Sequence, residues 1–311
     1  MPKIITLTPN PTYDFAVNAD FVEPNRKLRC KNPKTHPGGG GLNVARAASR
    51  LGVETLAIFT AGGLYGEALH KAVAAEGLAM RIIPVEHETR LAFHVRDESK
   101  DHEYRFNLPG GGLDKHAVEA FLEAIREEAG EGDFVVGSGS LPSDAPKDFW
   151  ALAARAAKQN NAKFVLDSIH GVREALDEGI YLLRQNKFEY QAISGGDLKW
   201  PEEITSLCEK IVTDGGAERV TITHGGDGSV MARMTDAGIK LSRANSFKVK
   251  ANSAVGAGDS FVGGLLVALA NGKDDNDALS YAMAAAGATR MSPGTALFKP
   301  ADVEQLYQQT E

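Results

Sequence analysis

The sequence predicts an α/β fold in which helices cover both faces of a mainly parallel sheet. Strand-like apolar segments alternate with helical segments of about 10 to 15 residues along most of the chain, which is the pattern of repeated βαβ units. The first strand-like segment, residues 4 to 7, is apolar at three of its four positions, as expected of a strand buried on both faces. Two other segments break the alternation and predict a small antiparallel sheet outside the main one.

The elements of the main sheet follow one another in a regular order. Polar residues follow the first strand and place Asp14 just past its end. The next helix, LNVARAASRLG, ends at Gly52, and ETLAIFTAGG supplies the following strand and turn. The alternation continues through GEALHKAVAAEG, AVEAFLEAIREEAG, DFVVGSGSLP, FWALAARAAKQN, AKFVLDS, ITSLCEKIVTDGG and RVTITHGGDGSVMAR.

The two segments that break the rhythm are 16–36 and 91–108. Residues 91–108 alternate apolar and polar residues on both sides of a polar turn, which predicts a hairpin. Residues 16–36 lack helical periodicity, and KLRCK alternates as a strand does. We expect both segments to form a small antiparallel sheet that acts as a lid on one domain spanning 1–311.

Composition limits the partners. Of 311 residues, 43% are hydrophobic and 24% charged, which is typical of a globular protein, and no apolar run approaches the ~20 residues of a membrane helix. We therefore expect no membrane partner. The formal net charge of −7 offers no basic surface to a nucleic acid. The N-terminus lacks an apolar leader and the cysteines number two, so we expect a cytoplasmic protein.

Two glycine-rich turns each precede a helix. PGGGG stands before LNVARA, and VGAGDS opens a long apolar run. Backbone N–H groups of Ala257, Gly258 and Asp259 at a helix start would form an anion hole for a phosphoryl group, and Asp259 would stand beside it as a base. The alternatives are a tight turn at the first site and a helix cap at Asp259. The chain has no Walker A loop, and the glycines do not match a dinucleotide fingerprint at the first strand.

Taken together in order, PGGGGLNVARA, YRF-LPG, SGSLP and VGAGDSFVGG resemble the motifs of the ribokinase-like (PfkB-type) sugar kinases over essentially the whole chain. The resemblance implies a three-layer α/β/α core with a small β lid. It also implies ATP as co-substrate, Mg²⁺ as cofactor and a homodimer formed through the lids. Within the family, the motifs imply phosphorylation of fructose 6-phosphate to fructose 1,6-bisphosphate, a glycolytic reaction.

The resemblance assigns roles on the sugar side. Asp259 would be the general base, with the anion hole built from Gly256, Ala257 and Gly258. The sugar would bind Asp14, Gly39, Gly40 and Asn43. Arginine and lysine suit phosphate oxygens, and the phosphosugar contacts would be Lys27, Arg90, Arg105 and Ser140, with Arg29 as a further candidate. Lys27 and Arg29 are two residues apart and share a strand face, whereas Arg90 and Arg105 lie on the polar face of the hairpin. One arginine is expected to reach across from a partner subunit.

The nucleotide side departs from the family pattern. An N-x-x-E motif near magnesium normally follows Lys-Pro, but here Arg184 and Gln185 precede Asn186 and Glu189. Asn186 would contact ATP, and Glu189 would act on Mg²⁺ through water. The segment THGGDGSV would place Thr223, Gly225 and Gly228 along ATP, with a turn between strands as the alternative for Gly228.

The substrate prediction depends on the glycine run. Relatives that act on fructose 1-phosphate or tagatose 6-phosphate commonly carry lysine where this chain has Gly40, so fructose 6-phosphate ranks first and these two sugars follow. A catalytically silent sugar or nucleotide sensor is the alternative from a different class. The intact Asp259 argues against it, because a sensor needs no base.

Overall fold

The computed structural model describes residues 1–310 and confirms the α/β architecture. The strands are β1 (Ile4–Thr8), β2 (Thr12–Ala19), β3 (Cys30–Gly38), β4 (Thr55–Ala61), β5 (Ala79–Pro84), β6 (Arg90–Asp97), β7 (His102–Asn107), β8 (Phe134–Ser138), β9 (Lys163–Asp167), β10 (Ile180–Asn186), β11 (Ala217–Thr223), β12 (Ser229–Thr235) and β13 (Gly238–Ala244). Within the described residues, nine of these strands form the main sheet in the order β13-β12-β11-β10-β9-β8-β1-β4-β5. Neighbours from β11 to β5 pair in parallel, whereas β12 and β13 form an antiparallel edge.

Helices cover both faces of this sheet. They are α1 (Gly40–Arg50), α2 (Gly63–Ala75), α3 (Lys115–Glu128), α4 (Phe149–Gln159), α5 (Val172–Asp177), α6 (Gln191–Ser194), α7 (Glu202–Thr213), α8 (Ala257–Ala270), α9 (Asp275–Met291) and α10 (Pro300–Tyr307). Short 3-10 helices lie at Gly225–Asp227 and Gln308–Thr310. No helix of the part of the chain that is described has the length and apolarity to cross a membrane.

Alternate residues of the strands face two different hydrophobic cores. Ile5 and Val135 pack with residues of α3, α4 and α7 on one face, and Ile4 and Val136 pack with α1, α8, α9 and α10 on the other. Because side chains alternate across a strand, one short apolar run supplies both cores. This packing gives the three layers that the sequence predicts.

The lid is a four-stranded sheet in the order β3-β2-β6-β7. The predicted hairpin is confirmed as the antiparallel pair β6 and β7, and β2 and β3 are also antiparallel, but β2 pairs with β6 in parallel at the centre. The sheet begins earlier than predicted, at Thr12, because the chain passes directly from the main sheet into the lid. Asp14 therefore lies inside β2, six residues beyond the end of β1, whereas the sequence predicted only a position just past the first strand.

The carboxyl ends of five adjacent parallel strands meet at one edge of the main sheet. They belong to β11, β10, β9, β8 and β1, in that spatial order, and α1 and α8 begin at the same edge. Open α/β sheets bind ligands at this edge, because loops and helix starts converge there. The predicted functional residues of the main sheet lie along it.

Candidate active site

The start of α8 carries the most constrained part of the site. Gly256 is the N-cap residue in the left-handed region, with φ of 75°, and a β-carbon there would lie 2.7 Å from Cδ2 of Leu297. Glycine adopts this φ without strain, and it has no β-carbon to collide with Leu297. The first N–H groups of α8 have no acceptor within the helix and point out of its start, where an anion would bind. Gly256, and not Asp259, is the N-cap of α8, and the carboxylate of Asp259 accepts a hydrogen bond from Asn43 of α1.

Asp259 is held from the opposite side of the crevice by α1. Nδ2 of Asn43 donates a hydrogen bond of 2.8 Å to Oδ2 of Asp259 across 216 residues of sequence. Burial raises the pKa of Asp259 to about 7, and the negative charge of Asp167 adds to the rise, although Asn43 and Arg184 partly offset it. A carboxyl group with this pKa can accept a proton near neutral pH.

The glycine run at the start of α1 allows two close backbone approaches and one left-handed N-cap. A β-carbon at Gly38 would lie 2.4 Å from Oδ2 of Asp14, and one at Gly40 would lie 2.4 Å from Oγ of Ser138. Gly39 is the N-cap of α1, with φ of 111°. The run therefore brings the Asp14 carboxylate, the end of β8 and the start of α1 together. A tight turn alone does not explain all of these contacts.

Asp14 is 4% exposed and points from the lid toward Gly38. Nε2 of His94 lies 3.8 Å from its Oδ2. Burial raises the pKa of Asp14 to about 6, and the positive charges of Arg90 and Arg46 oppose that rise. A buried carboxylate with few partners is suited to accepting hydrogen bonds from hydroxyl groups of a ligand.

A buried cluster of charges lies beneath the start of α8. Nη1 of Arg184 donates to Oδ1 of Asp167 at 2.9 Å, and Nη2 donates to Oγ1 of Thr223 at 2.8 Å. Oε2 of Glu189 lies 3.9 Å from Nη1 of Arg184. A β-carbon at Gly258 would lie 2.9 Å from Nη1, so the guanidinium packs directly against the predicted anion hole. Arg184 thus places a fixed positive charge where a phosphoryl group would pass.

Asn186 and Glu189 form a compact turn after β10. Oδ1 of Asn186 accepts hydrogen bonds from the N–H groups of Phe188 and Glu189, and the Asn186 N–H donates to Oε2 of Glu189 at 2.8 Å. Burial and the charge of Asp167 raise the pKa of Glu189, against the effect of Arg184. The change from Lys-Pro to Arg184 and Gln185 therefore leaves the N-x-x-E turn in place.

The predicted phosphate-binding residues fall into two groups. Arg90 donates from Nε and Nη2 to the carbonyl oxygen of Asn10, at 3.3 and 3.2 Å, and Nδ2 of Asn10 donates to Oγ of Ser140 at 3.1 Å. Asn10 therefore brings Arg90 and Ser140 to one place beyond the end of β1.

The remaining predicted cations lie elsewhere. Arg105 shares the polar lid face with Arg90 but binds Glu103 at 2.7 Å and lines the cavity beside α8. Lys27 and Arg29 are exposed on the irregular segment before β3, so the predicted strand at KLRCK is wrong at both residues. Within the described chain neither makes a hydrogen bond or ion pair, because the segment extends away from the core.

A cavity of about 700 Å³, within the usual size range for small-molecule pockets, lies beside the start of α8 and the end of β11. Asn186, Thr223, Gly225, Ala257 and Gly258 line it. Gly228 does not, and its φ of 99° and its approach to the Ala244 carbonyl oxygen explain it as a turn residue between β11 and β12. A second cavity, of about 720 Å³, lies between α5 and α7, and none of the predicted site residues lines it.

Several residues of the site were not singled out as site residues by sequence reasoning. They are Asn10, Arg46, His94, Ser138 and Asp167. Arg184 was noted only because it replaces the lysine of the family's Lys-Pro pattern. Asp167 ends a predicted strand, and that position was a usable signal. Arg46 and His94 gave no signal, because a charged residue in a helix or strand is usually solvated.

Comparison with known proteins places this geometry in a family. The family model described as "pfkB family carbohydrate kinase" matches residues 9–302. ATP-dependent 6-phosphofructokinase isozyme 2 of Mycobacterium tuberculosis is 34% identical, with 99% of this chain and 89% of the relative covered. The isozyme 2 of Escherichia coli is 32% identical, with 99% and 98% covered, and a 1-phosphofructokinase of Bacillus subtilis is 31% identical, with 93% of each covered.

Solved structures agree with these sequence matches. Phosphofructokinase-2 from Escherichia coli, in complex with potassium, has a TM-score of 0.93 at 32% identity, with 99% of both chains covered. The complex of the same protein with fructose-6-phosphate has a TM-score of 0.91, and its tetrameric inhibited form has 0.90, both at 31% identity and 99% coverage of both chains.

The fold and these matches define a phosphotransferase that acts on an alcohol group. The chain belongs to the pfkB family of carbohydrate kinases, and the resemblance drawn from its motifs is confirmed.

Proposed function

We propose that the protein transfers the γ-phosphoryl group of ATP to the 1-hydroxyl of fructose 6-phosphate, giving fructose 1,6-bisphosphate and ADP. The observation that carries the proposal is the position of the Asp259 carboxyl group in the first turn of α8, whose Ala257 and Gly258 line a 700 Å³ cavity. A base and an anion hole at one helix start are the parts that phosphoryl transfer requires.

The reaction follows from these positions. Asp259 takes the proton of the sugar hydroxyl as its oxygen forms a bond to the γ-phosphorus, and the bond from that phosphorus to the oxygen of the leaving ADP breaks. The N–H groups of the Gly256–Ala257–Gly258 turn and the guanidinium of Arg184 stabilise the charge on the equatorial oxygens. Arg184 is buried and ion-paired to Asp167, so it needs no reorganisation during the step.

The sugar lies between the lid and the start of α1 in this proposal. Asp14, Asn43 and the backbone of Gly39 and Gly40 bind its hydroxyl groups. Gly40 approaches Ser138 so closely that a lysine at that position would displace the end of β8. This packing supports fructose 6-phosphate over the substrates of relatives that carry lysine there.

The phosphate of the sugar binds cations and one hydroxyl group. Arg90 and Ser140 already lie together through Asn10. Arg105 adds a second guanidinium from the lid. Lys27 and Arg29, which are exposed, contribute from a partner subunit in a lid-to-lid dimer.

ATP occupies the 700 Å³ cavity along Asn186, Thr223 and Gly225, and Gly228 shapes the turn at its rim. The described residues contain no cluster of three or more His, Cys, Asp or Glu side chains that would hold a metal by themselves. Mg²⁺ would therefore be held mainly by ATP phosphates and water, with Glu189 acting through water, and would neutralise phosphate charge. The partly exposed Glu189 carboxylate, which lies 3.9 Å from Nη1 of Arg184, fits that role.

The assembly is a homodimer in this proposal, formed through the apolar face of the lids. Phe93 and Phe106 are 37% and 53% exposed there, and Phe15 stacks on Phe93 with ring centroids 5.7 Å apart. We also infer one kinase domain with an inserted lid over 1–311, of which Glu311 lies outside the described residues. A cytoplasmic location stays a prediction from composition.

The alternatives are a kinase for fructose 1-phosphate, favoured by the match to a 1-phosphofructokinase, and a kinase for tagatose 6-phosphate. The test is ADP release by purified protein with Mg-ATP and each of the three sugars, with a sugar-free control. The highest kcat/KM for fructose 6-phosphate would support the proposal. A preference for another sugar would overturn the substrate, and no turnover with any of them would favour a sensor.

A further inference from the structure

Arg46 is a buried charged residue that the proposed chemistry does not use. Its side chain is fully enclosed in the middle of α1, one helical turn after Asn43. Arginine is rarely buried to this extent unless its donors are paired. The hydrogen-bond partners of Arg46 therefore indicate its role.

The guanidinium of Arg46 is fixed on two sides. Nε donates to both carboxylate oxygens of Glu76 at 2.9 Å, and Nη2 lies 2.7 Å from Oε1. Nη1 donates to the carbonyl oxygen of Pro37 at 3.1 Å and to Oδ1 of Asn43 at 2.9 Å. Glu76 is the C-cap residue of α2, and Pro37 lies in the lid strand β3. Arg46 of α1 therefore connects both elements to the side-chain amide of Asn43.

The contact with Arg46 decides which way the Asn43 amide faces. An amide presents an acceptor at one end and a donor at the other, and its hydrogen-bond partners set its orientation. Arg46 occupies the acceptor end, so Nδ2 is the atom that meets Oδ2 of Asp259 at 2.8 Å. Rotating the amide would direct Oδ1 at the carboxylate, and two acceptors would then face each other unless Asp259 carried a proton.

We propose that Arg46, held by Glu76, is a positioning residue that locks the Asn43 amide with its donor toward Asp259 and so keeps the base ionised at working pH. The proposal rests on the proposed role of Asp259 as the base. Arg46 touches neither substrate nor reacting atoms. It acts on Asp259 through Asn43, and its charge separately lowers the pKa of Asp14.

The other charged groups around Asp259 explain why the orientation of the Asn43 amide matters for its ionisation. Asp167 from β9 and Glu189 after β10 disfavour the ionised form, whereas Arg184 from β10 favours it. The α1 side contributes the Asn43 donor, oriented by Arg46. Loss of the lock leaves two carboxylates opposed by one guanidinium.

The test is the pH dependence of kcat in Arg46→Met, which keeps the length of the side chain but removes its donors. We expect the acid limb of the profile to move up by about one pH unit, which is a tenfold loss on the acid side, with recovery above the new limb. Glu76→Gln, which weakens the hold on Arg46, should move the limb in the same direction by less. A folded variant is one whose circular dichroism spectrum matches that of the wild type.

Arg50→Met is the matched control. Arg50 also contacts Glu76, at 3.3 Å, but its other hydrogen bond goes to the carbonyl oxygen of Phe298, so its removal should leave the limb in place. An unmoved limb in folded Arg46→Met or Glu76→Gln, or an equal loss at every pH, would overturn the proposal. Full activity of Asp259→Asn would instead overturn Asp259 as the base, so the two failures are distinguishable. If Arg46→Met does not fold, Glu76→Gln decides.

Discussion

Asp259 combines burial, a raised pKa and a position at a helix start. Each property has an ordinary structural explanation when taken alone, and perturbed carboxyl groups also occur in purely structural networks. Here the Asn43 donor, the Arg184 guanidinium and the turn at Gly256 converge on the same carboxyl group. This convergence supports the proposed role of Asp259 as the base.

The first prediction concerns turnover. Asp259→Asn keeps the shape of the side chain but cannot accept the proton, so we expect kcat to fall by about 10² to 10⁴, with little change in the KM for ATP. Steady-state ADP release measures both values. Wild-type kcat in this variant would exclude Asp259 as the base.

In the wild type, kcat should fall as pH drops through about 7, because the base becomes protonated.

The second prediction concerns stability. The pKa of Asp259 rises from 3.8 to about 7 on folding, so between those values the native state binds the extra proton and the free energy of unfolding falls as pH rises. Asp259→Asn removes the titrating group, so its free energy of unfolding does not fall in this way. We expect it to be more stable than the wild type at pH 8, by up to about 4 kcal/mol, and equal to it near pH 4. Thermal unfolding at both values checks this, and a less stable variant at pH 8 would contradict it.

At the scale of elements, the site depends on helix starts that touch neighbouring strands. Glycine at the start of α1 and α8 removes the side chains that would separate them from β8 and β10. Gly258 packs on Arg184 of β10, and Gly40 packs on Ser138 of β8. These contacts set the distance between the anion hole and the buried charges beneath it.

The third prediction tests that contact. In Gly258→Ala the new β-carbon would lie 2.9 Å from Arg184, so either α8 or the guanidinium must shift. We expect kcat to fall by about tenfold or more, with a loss of stability of about 1 to 3 kcal/mol. The control is Gly196→Ala, because a β-carbon at Gly196 meets nothing within 4 Å. Equal activity of the two variants would show that the spacing is not critical.

At the scale of the whole molecule, the lid presents polar residues to the site and apolar residues away from it. Asp14, Arg90 and Arg105 share the first face, whereas Phe93 and Phe106 lie on the second. An exposed apolar sheet face of this kind marks an interaction surface. Dimerisation would therefore affect both lid position and sugar binding.

The fourth prediction follows from that face. Phe93→Asp should shift the protein from dimer to monomer in sedimentation velocity and raise the KM for the sugar, because the lid loses its partner. Met234→Glu changes a residue of similar exposure on β12, next to the edge strand β13 of the main sheet, and should leave the dimer intact. A monomeric wild type, or a dimeric Phe93→Asp, would disprove the lid interface.

The sequence by itself determined the order of elements, the three layers and the two glycine-rich helix starts. These features follow from local patterns: periodicity, turn residues and motif spacing all lie within short segments. The identity of Asp259 as the candidate base also came from its own motif, and the family comparison agrees with the class of enzyme that the motif implied.

Only the tertiary structure decided which distant residues meet. It placed Asp14 in a lid strand, left Lys27 and Arg29 exposed, and joined Arg46 to Asp259 through Asn43. Such contacts link residues up to 216 positions apart, and no local pattern records them. A buried arginine and a solvated one look alike in sequence, because the difference between them is the packing of other elements around the side chain.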